Sequence, residues 1–321
     1  MFELDKLDRK ILLELDCNSR QSMSQLARRL RQARDTVEYR VQKLQQEGVI
    51  TKFTAMVDPA RLGFTVYNVY LRLAADKQER QRLLKSLQQH SAVSWIAECA
   101  GQWDLIFALA VRTKAEFYQA HTALLSEFSS IVLESTVHTV VDVWICAKDY
   151  VLNATSGRHV HFEQQADVLT IDSKDQLLLT LLMKDSRTSL TEAARLIKLS
   201  SEATARRIQR LEENRIIAGY RIEIDLERLN KQHFKAQIFF HRFTKEVEET
   251  FRRFCLEHPN ITHYFQEIGP CPVELEMEVK SYARYHEILD QLRELSPGTV
   301  RNIHTILLRN TRSSWNWEKA G

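Results

Sequence analysis

The sequence predicts an α+β chain of two tandem units, each a winged-helix-like helix-turn-helix block followed by a small ferredoxin-like βαββαβ domain. Three observations predict it. The chain repeats itself at a shift of 167 residues; each copy opens with apolar residues at three- and four-residue spacing; and each then changes to short runs rich in Val, Ile, Tyr and Phe.

The repeat comes first because it organises the rest. Arg20 to Ala27 (RQSMSQLA) aligns with Arg187 to Ala194 (RTSLTEAA), and the register holds without gaps from Asp5/Asp172 and Asp8/Asp175 to Arg40/Arg207, Leu44/Leu211 and Asp58/Asp225. Such a period is far longer than the roughly 20 to 50 residues of solenoid repeats, so it marks a duplicated domain pair. With 321 residues and 44% hydrophobic composition the chain has ample material for several cores.

In the first copy Leu7, Ile11 and Leu15, then Leu26 and Leu30, then Val37, Val41 and Leu44 predict three short helices over residues 1–52. The second copy repeats them over 168–220. Strand-like runs follow at Phe64 to Leu73, Val93 to Cys99, Leu105 to Val111 and Ile131 to Cys146, with helices near 76–90 and 114–127, which fills a domain over 53–150. Its counterpart occupies 221–321. Between the copies, residues 151–167 are polar and aperiodic and read as a linker.

Composition narrows the function. A formal charge of +3 announces nothing alone, but seven basic residues face two acidic ones between Arg20 and Lys43, and six face two between Arg187 and Arg210. Two basic windows in register point to nucleic acid. On the third helix of each block, Thr36, Tyr39, Arg40 and Lys43, and in the second copy Arg206, Arg207 and Arg210, are expected to face double-stranded DNA, with Ser200 at the helix start. Arginine binds a guanine edge or a phosphate, lysine neutralises phosphate, and hydroxyls add hydrogen bonds. The readers differ, so a non-palindromic target is expected.

No membrane-length apolar run and no basic-then-apolar leader is present, so the expected compartment is the cytoplasm. Cys17, Cys99, Cys146, Cys255 and Cys271 are scattered without C-x-x-C spacing, and no metal or cofactor is expected. The strand histidines His138 and His304 are expected to bond a neighbour rather than a metal.

The runs Leu4 to Leu12 (LDKLDRKIL), Arg40 to Ile50 (RVQKLQQEGVI) and Asp58 to Gly63 (DPARLG) resemble the leucine-responsive regulatory protein/AsnC (Lrp/AsnC) transcription regulators of bacteria and archaea. The second copy departs from the first at Arg215 and Asn230, where the first has Gly48 and Gly63. The resemblance implies ferredoxin-like domains that pair face to face, here as an internal pseudo-dimer, further homo-oligomers, and an amino-acid effector. Its sensing loop carries a glycine followed by an acid, which maps to Gly101 and Asp104, and to Gly269 and Glu274 in the second copy. The same residues also suit a plain β-turn.

Two other readings compete. Sirohaem decarboxylases share this domain plan, and Thr262-His263-Tyr264 is similar to their histidine-bearing strand; the first copy has Ser94-Trp95-Ile96 there. A purely structural dimerisation protein is opposed by the clustered arginines. No phosphate loop or Ser/His/Asp order supports another chemistry, so no enzyme is expected.

Overall fold

A computed structural model describes residues 3–163 and 167–313. Residues 1–2, 164–166 and 314–321, which belong to the first domain, the linker and the last domain expected above, lie outside the described residues.

The chain runs α1 (Lys6–Cys17), α2 (Met23–Leu30), α3 (Arg34–Gln46), β1 (Ile50–Val57), then β2 (Thr65–Leu73), α4 (Lys77–Gln89), β3 (Val93–Gly101), β4 (Leu105–Val111), α5 (Lys114–Glu127) and β5 (Val132–Cys146). A short strand β6 (His159–Glu163) precedes the second copy. That copy comprises α6 (Ser173–Lys184), α7 (Leu190–Ile197), α8 (Ser201–Glu213), β7 (Ile217–Ile224), β8 (Gln232–Phe240), α9 (Lys245–Glu257), β9 (Ile261–Ile268), β10 (Val273–Val279), α10 (Tyr282–Leu295) and β11 (Val300–Ser313). The α+β class and the duplicated order are those predicted.

Two of the expected cuts and the expected linker meet strands. The cuts at 52/53 and 220/221 pass through β1 and β7, and the segment 151–167 contains β6, whose Val160 and His161 pair with Ile145 and Trp144 of β5. The reason lies in pairing: β1 and β7 form an antiparallel ribbon with each other, Phe53 opposite Ile222 and Ala55 opposite Tyr220. Each strand then packs on the other copy's helices. Ala55 and Val57 join Leu178, Leu182, Ile208 and Leu211 in one core, while Ile222 joins Ile11, Leu15, Val41 and Leu44 in the other. A strand's apolar face, too small to form a core alone, is buried by exchange.

The exchange brings the two helical blocks together about a pseudo-two-fold axis. Ser19 and Ser186, equivalent residues, share a hydrogen bond of 2.7 Å between buried hydroxyls. The amide of Ser19 donates to the carbonyl of Tyr220 and that of Ser186 to the carbonyl of Phe53, each at 3.0 Å. Arg187 donates to the carbonyls of Ser19 and Gln21 at 2.9 and 3.3 Å, and Arg20 reciprocates onto those of Ser186 and Thr188.

The ferredoxin-like halves close on one another as an eight-stranded barrel in the order β2-β4-β3-β11-β8-β10-β9-β5, with β5 returning to β2 and β6 added outside. The last strand of each half is long because it serves both. In β5, Val132 to Thr139 pair with β2 and Thr139 to Ile145 with β9; in β11, Val300 to Leu308 pair with β8 and Ile306 to Ser313 with β3. Closure removes the open edges that exposed strands leave. Helices cover the outside, over Leu83, Leu87, Phe107 and Phe128 in one half and Phe251, Tyr285, Ile288 and Leu292 in the other.

Gly101 sits at the β3–β11 seam with φ +131°, and a Cβ there would stand 2.6 Å from the carbonyl oxygen of Thr305. Only glycine allows that approach. Gly101→Ala should therefore lower the free energy of unfolding by about 1–3 kcal/mol, measured by urea denaturation; an unchanged midpoint would contradict the seam geometry.

Candidate nucleic-acid interface

Each helical block builds a helix-turn-helix from local signals. Ser22 caps α2, accepting from the amide of Gln25 at 3.1 Å while the Gln25 side chain accepts from the amide of Ser22 at 2.9 Å. Ser189 caps α7 through the amide of Glu192. Both helices end on a cation in the left-handed region, Arg31 (φ 54°) and Lys198 (φ 55°), which turns the chain into α3 and α8. Those helices bury Val37, Val41 and Leu44, and Thr204, Ile208 and Leu211.

Three of the arginines expected to face DNA are bound by the first helix of their own block. Arg40 donates to Asp5 at 2.6 Å and to Asp8 at 3.1 Å, the two residues that form the capping box of α1. Arg207 repeats this on Asp172 and Asp175, each at 2.8 Å, and Arg210 also donates to Asp175. The carboxylates explain it: Asp8 and Asp175 are buried, and a buried carboxylate left unpaired is costly. Hydrogen bonding to Asp5 holds the Arg40 guanidinium above its usual pKa, and bonding to Asp175 and Asp172 does the same for Arg207. These arginines clamp the third helix of each block to the first. Ser200 is likewise engaged, its hydroxyl capping α8 by accepting from the amide of Ala203 at 3.1 Å.

What remains outward is Thr36, Tyr39 (62% exposed) and Gln42 in the first copy, with Lys43 half-buried, and Arg206, Gln209 and the still exposed Arg210 in the second. Arg206 makes a surface ion pair with Glu202 at 2.6 Å, both side chains 76% exposed, a contact that water and salt weaken. The equivalent pairs Arg28/Arg195 and Arg31/Lys198 are exposed too, and among the described residues no carboxylate lies within 4.0 Å of them. The charge windows contained these four cations without singling them out. The signal was there, since each is basic in both copies. Arg20 and Arg187, counted in the same windows, are taken by the pseudo-two-fold contact, and burial pulls the Arg187 guanidinium below its usual pKa.

The four residues expected to meet an effector have these places in the fold. Gly101 is the seam glycine. Asp104 accepts from the amide of Leu73 at 2.8 Å and from Arg80 at 3.2 Å. Gly269 lies against the His138 ring, 3.3 Å from where its Cβ would be. Glu274 is fully buried inside the barrel, accepting from Tyr70 (2.5 Å), Gln237 (2.7 Å) and Lys235 (2.9 Å). Both acids thus already have protein partners, Asp104 beside β2 and Glu274 within the barrel.

Glu274 belongs to a network that the sequence reading missed. Alternate residues of β10 face opposite ways, so Val273, Leu275 and Met277 pack under the helices while Glu274, Glu276 and Glu278 enter the barrel. Lys235 also meets Glu276 at 3.2 Å, Asn68 donates to Glu267 at 2.8 Å, and His138 bonds Glu267 at 2.7 Å. His138 thus bonds a neighbour as expected, and with Glu267 and Glu274 it forms a compact group of potential metal donors. Lys235 already supplies a cation to that group. His263 hydrogen-bonds the Thr262 hydroxyl at 3.2 Å and lies 3.2 Å from Glu276, with burial depressing its pKa to about 4. Two clefts, of about 440 and 360 Å³, open outside the barrel between β6 and β7.

Comparison with known proteins gives two family matches, both within the helical blocks: a winged helix-turn-helix DNA-binding model over residues 4–51 and an AsnC-type helix-turn-helix model over residues 171–212. An uncharacterized HTH-type transcriptional regulator of Pyrococcus horikoshii is 34% identical over 105 residues, 32% of this chain and 70% of the relative. The HTH-type transcriptional regulator Ptr1 of Methanocaldococcus jannaschii is 32% identical over 103 residues, 32% of this chain and 69% of the relative. Among solved structures, the sirohaem decarboxylase NirDL superposes over 98% of this chain and 96% of its own with a TM-score of 0.67 and 12% sequence identity. At that identity the likeness is one of fold.

Two outcomes follow from the geometry. Arg40→Ala should cost about 1–3 kcal/mol of stability, because it leaves the buried Asp8 carboxylate without its cation; an unchanged urea midpoint would place Arg40 outside the fold's support. Glu267, pushed up to about 7 by burial and by Glu274, stays protonated in the folded chain where the unfolded chain ionises near 4.5. Its contribution is full below about pH 4.5 and is lost as pH rises to about 7. Glu267→Gln should flatten that part of the stability curve, and equal slopes in variant and parent would refute the assignment.

Proposed function

The chain belongs to the Lrp/AsnC family of helix-turn-helix transcription regulators, and we propose that it binds double-stranded DNA sequence-specifically with both helical blocks of one molecule. The observation that carries this reading is the pseudo-two-fold pairing at Ser19 and Ser186, which fixes two helix-turn-helix blocks in one frame within a single chain. Paired reader helices suit half-sites about one helical turn apart. Arg28, Arg31, Arg195 and Lys198 would neutralise phosphates beside the turns, and α3 and α8 would enter the major groove with Thr36, Tyr39 and Gln42, and with Arg206 and Gln209. Arg40, Arg207 and Arg210 would act indirectly, by holding those helices in place.

Regulation by an amino-acid effector is the family expectation, and the acids of the two sensing loops are engaged internally, so any such ligand would have to displace Arg80 from Asp104 or seat elsewhere. Isothermal titration with the twenty amino acids tests it; no heat with any of them removes the effector. Among the described residues no helix is long and apolar enough to cross a membrane; the DNA-binding role proposed here would be carried out in the cytoplasm. The whole-chain likeness to NirDL favours one second reading, a porphyrin-acting enzyme. Against it, the Nδ1 of His263, the histidine that suggested it, is engaged by the Thr262 hydroxyl and lies against Glu276. Sirohaem added to the purified protein should keep its free absorption spectrum, and a shifted band would revive the enzyme reading.

DNA affinity should fall steeply with salt, with a log–log slope of about −3.6 if the four turn cations each meet a phosphate. Arg28→Ala should reduce that slope by about 0.9, whereas Arg40→Ala should weaken binding with the slope unchanged. Fluorescence anisotropy across a salt series reads both, and equal slope changes in the two variants would contradict the division between phosphate contacts and internal clamps.

A further inference from the structure

The two helix-turn-helix blocks share a scaffold and differ in what they show. Their caps, turns and clamps correspond position by position: Ser22 and Ser189, Arg31 and Lys198 at φ 54° and 55°, Arg40 and Arg207 on their aspartate pairs. The exposed cations at the turns correspond as well, Arg28 with Arg195 and Arg31 with Lys198. Phosphate contacts set register and carry no sequence information. Both blocks are therefore equipped to approach the duplex in the same pose.

Correspondence weakens at the outward face of the reader helices, where Gln42 and Gln209 still match. Thr36 faces Ala203 across the repeat, and Tyr39 faces Arg206. Position 39/206 is the most telling, because both side chains project fully: Tyr39 is 62% exposed and Arg206 is 76% exposed, tied only to the equally exposed Glu202. A guanidinium there can take the O6 and N7 of guanine together, which a phenol cannot; tyrosine offers a ring face for a thymine methyl and one hydroxyl. Arg34, exposed at the start of α3, likewise has the uncharged Ser201 as its counterpart.

Resting on the DNA-binding reading, we propose that this chain recognises an asymmetric operator: a guanine-containing half-site read by Arg206 of α8, joined at fixed spacing to a different half-site read by Tyr39 of α3. One molecule therefore has a direction on DNA. A homodimer of identical readers favours matching half-sites, whereas the covalent joining of two unlike readers ties each to its own half.

The test is selection of bound duplexes from a random library by the full-length protein, followed by the same selection with variants. The wild type should enrich a motif with unlike halves, one holding a guanine. Arg206→Ala should flatten that half alone and lower affinity for the wild-type motif roughly 5- to 150-fold, while Tyr39→Arg should convert the other half towards it, so that an inverted repeat becomes preferred. Tyr39 and Arg206 lie on the surface, and thermal melting of each variant should match the parent. A palindromic wild-type motif, or one that Arg206→Ala leaves intact, would overturn the asymmetry while leaving DNA binding standing. Enrichment of no motif would overturn both.

Discussion

The contact between Ser19 and Ser186 is the point about which the chain is arranged. Two equivalent serines share one hydrogen bond, and around them the amides of both serines and the guanidinium groups of Arg20 and Arg187 donate to carbonyls of the opposite copy. Because these partners are mostly backbone atoms, the pairing depends on the path of the chain more than on side-chain chemistry. The β1–β7 ribbon reinforces it by giving each helical block a strand from the other copy. Neither block has a complete core without its counterpart.

The barrel repeats that logic with different chemistry. Its seams are β3–β11 and β9–β5, each made by a strand long enough to belong to two sheets. Inside, the halves are unlike. The second contributes Glu267, Glu274, Glu276 and Lys235, and the first answers with Asn68, Tyr70 and His138. Buried charges persist where every member is paired. A half meeting its own kind would bring acid to acid, so the network suits this pairing and opposes exchange between identical halves.

Much of this was legible in the sequence, for physical reasons that can be named. The 167-residue register and the spacing of Leu7, Ile11 and Leu15 reflect burial on one helix face, which periodicity reports directly. The direction of a long polar side chain is not periodic. Arg40 stands one turn from Thr36 and Lys43 on α3, yet two aspartates thirty-odd residues away draw it to α1. Asp5 and Asp8 were visible as repeated residues, and their pairing with Arg40 needed the tertiary fold. Glu274 shows the same limit from the other side: a carboxylate in an alternating strand reads as a loop-end or surface group, and only barrel closure makes that face an interior. The β6 strand was hidden because only Val160 and Phe162 carry its alternation, five residues inside a polar stretch, and its pairing with β5 is by backbone.

A division of labour emerges from these placements. Paired scaffold residues hold two reader helices in one frame, repeated cations at the turns suit the DNA backbone, and unlike outward residues leave the readers free to differ. On the proposed reading one chain carries both readers to one site. Hydroxyl-radical footprinting on a duplex titrated to known stoichiometry measures that directly: each chain bound should protect two patches about one helical turn apart. Protection of a single patch per chain, with a second chain needed for the other, would contradict it.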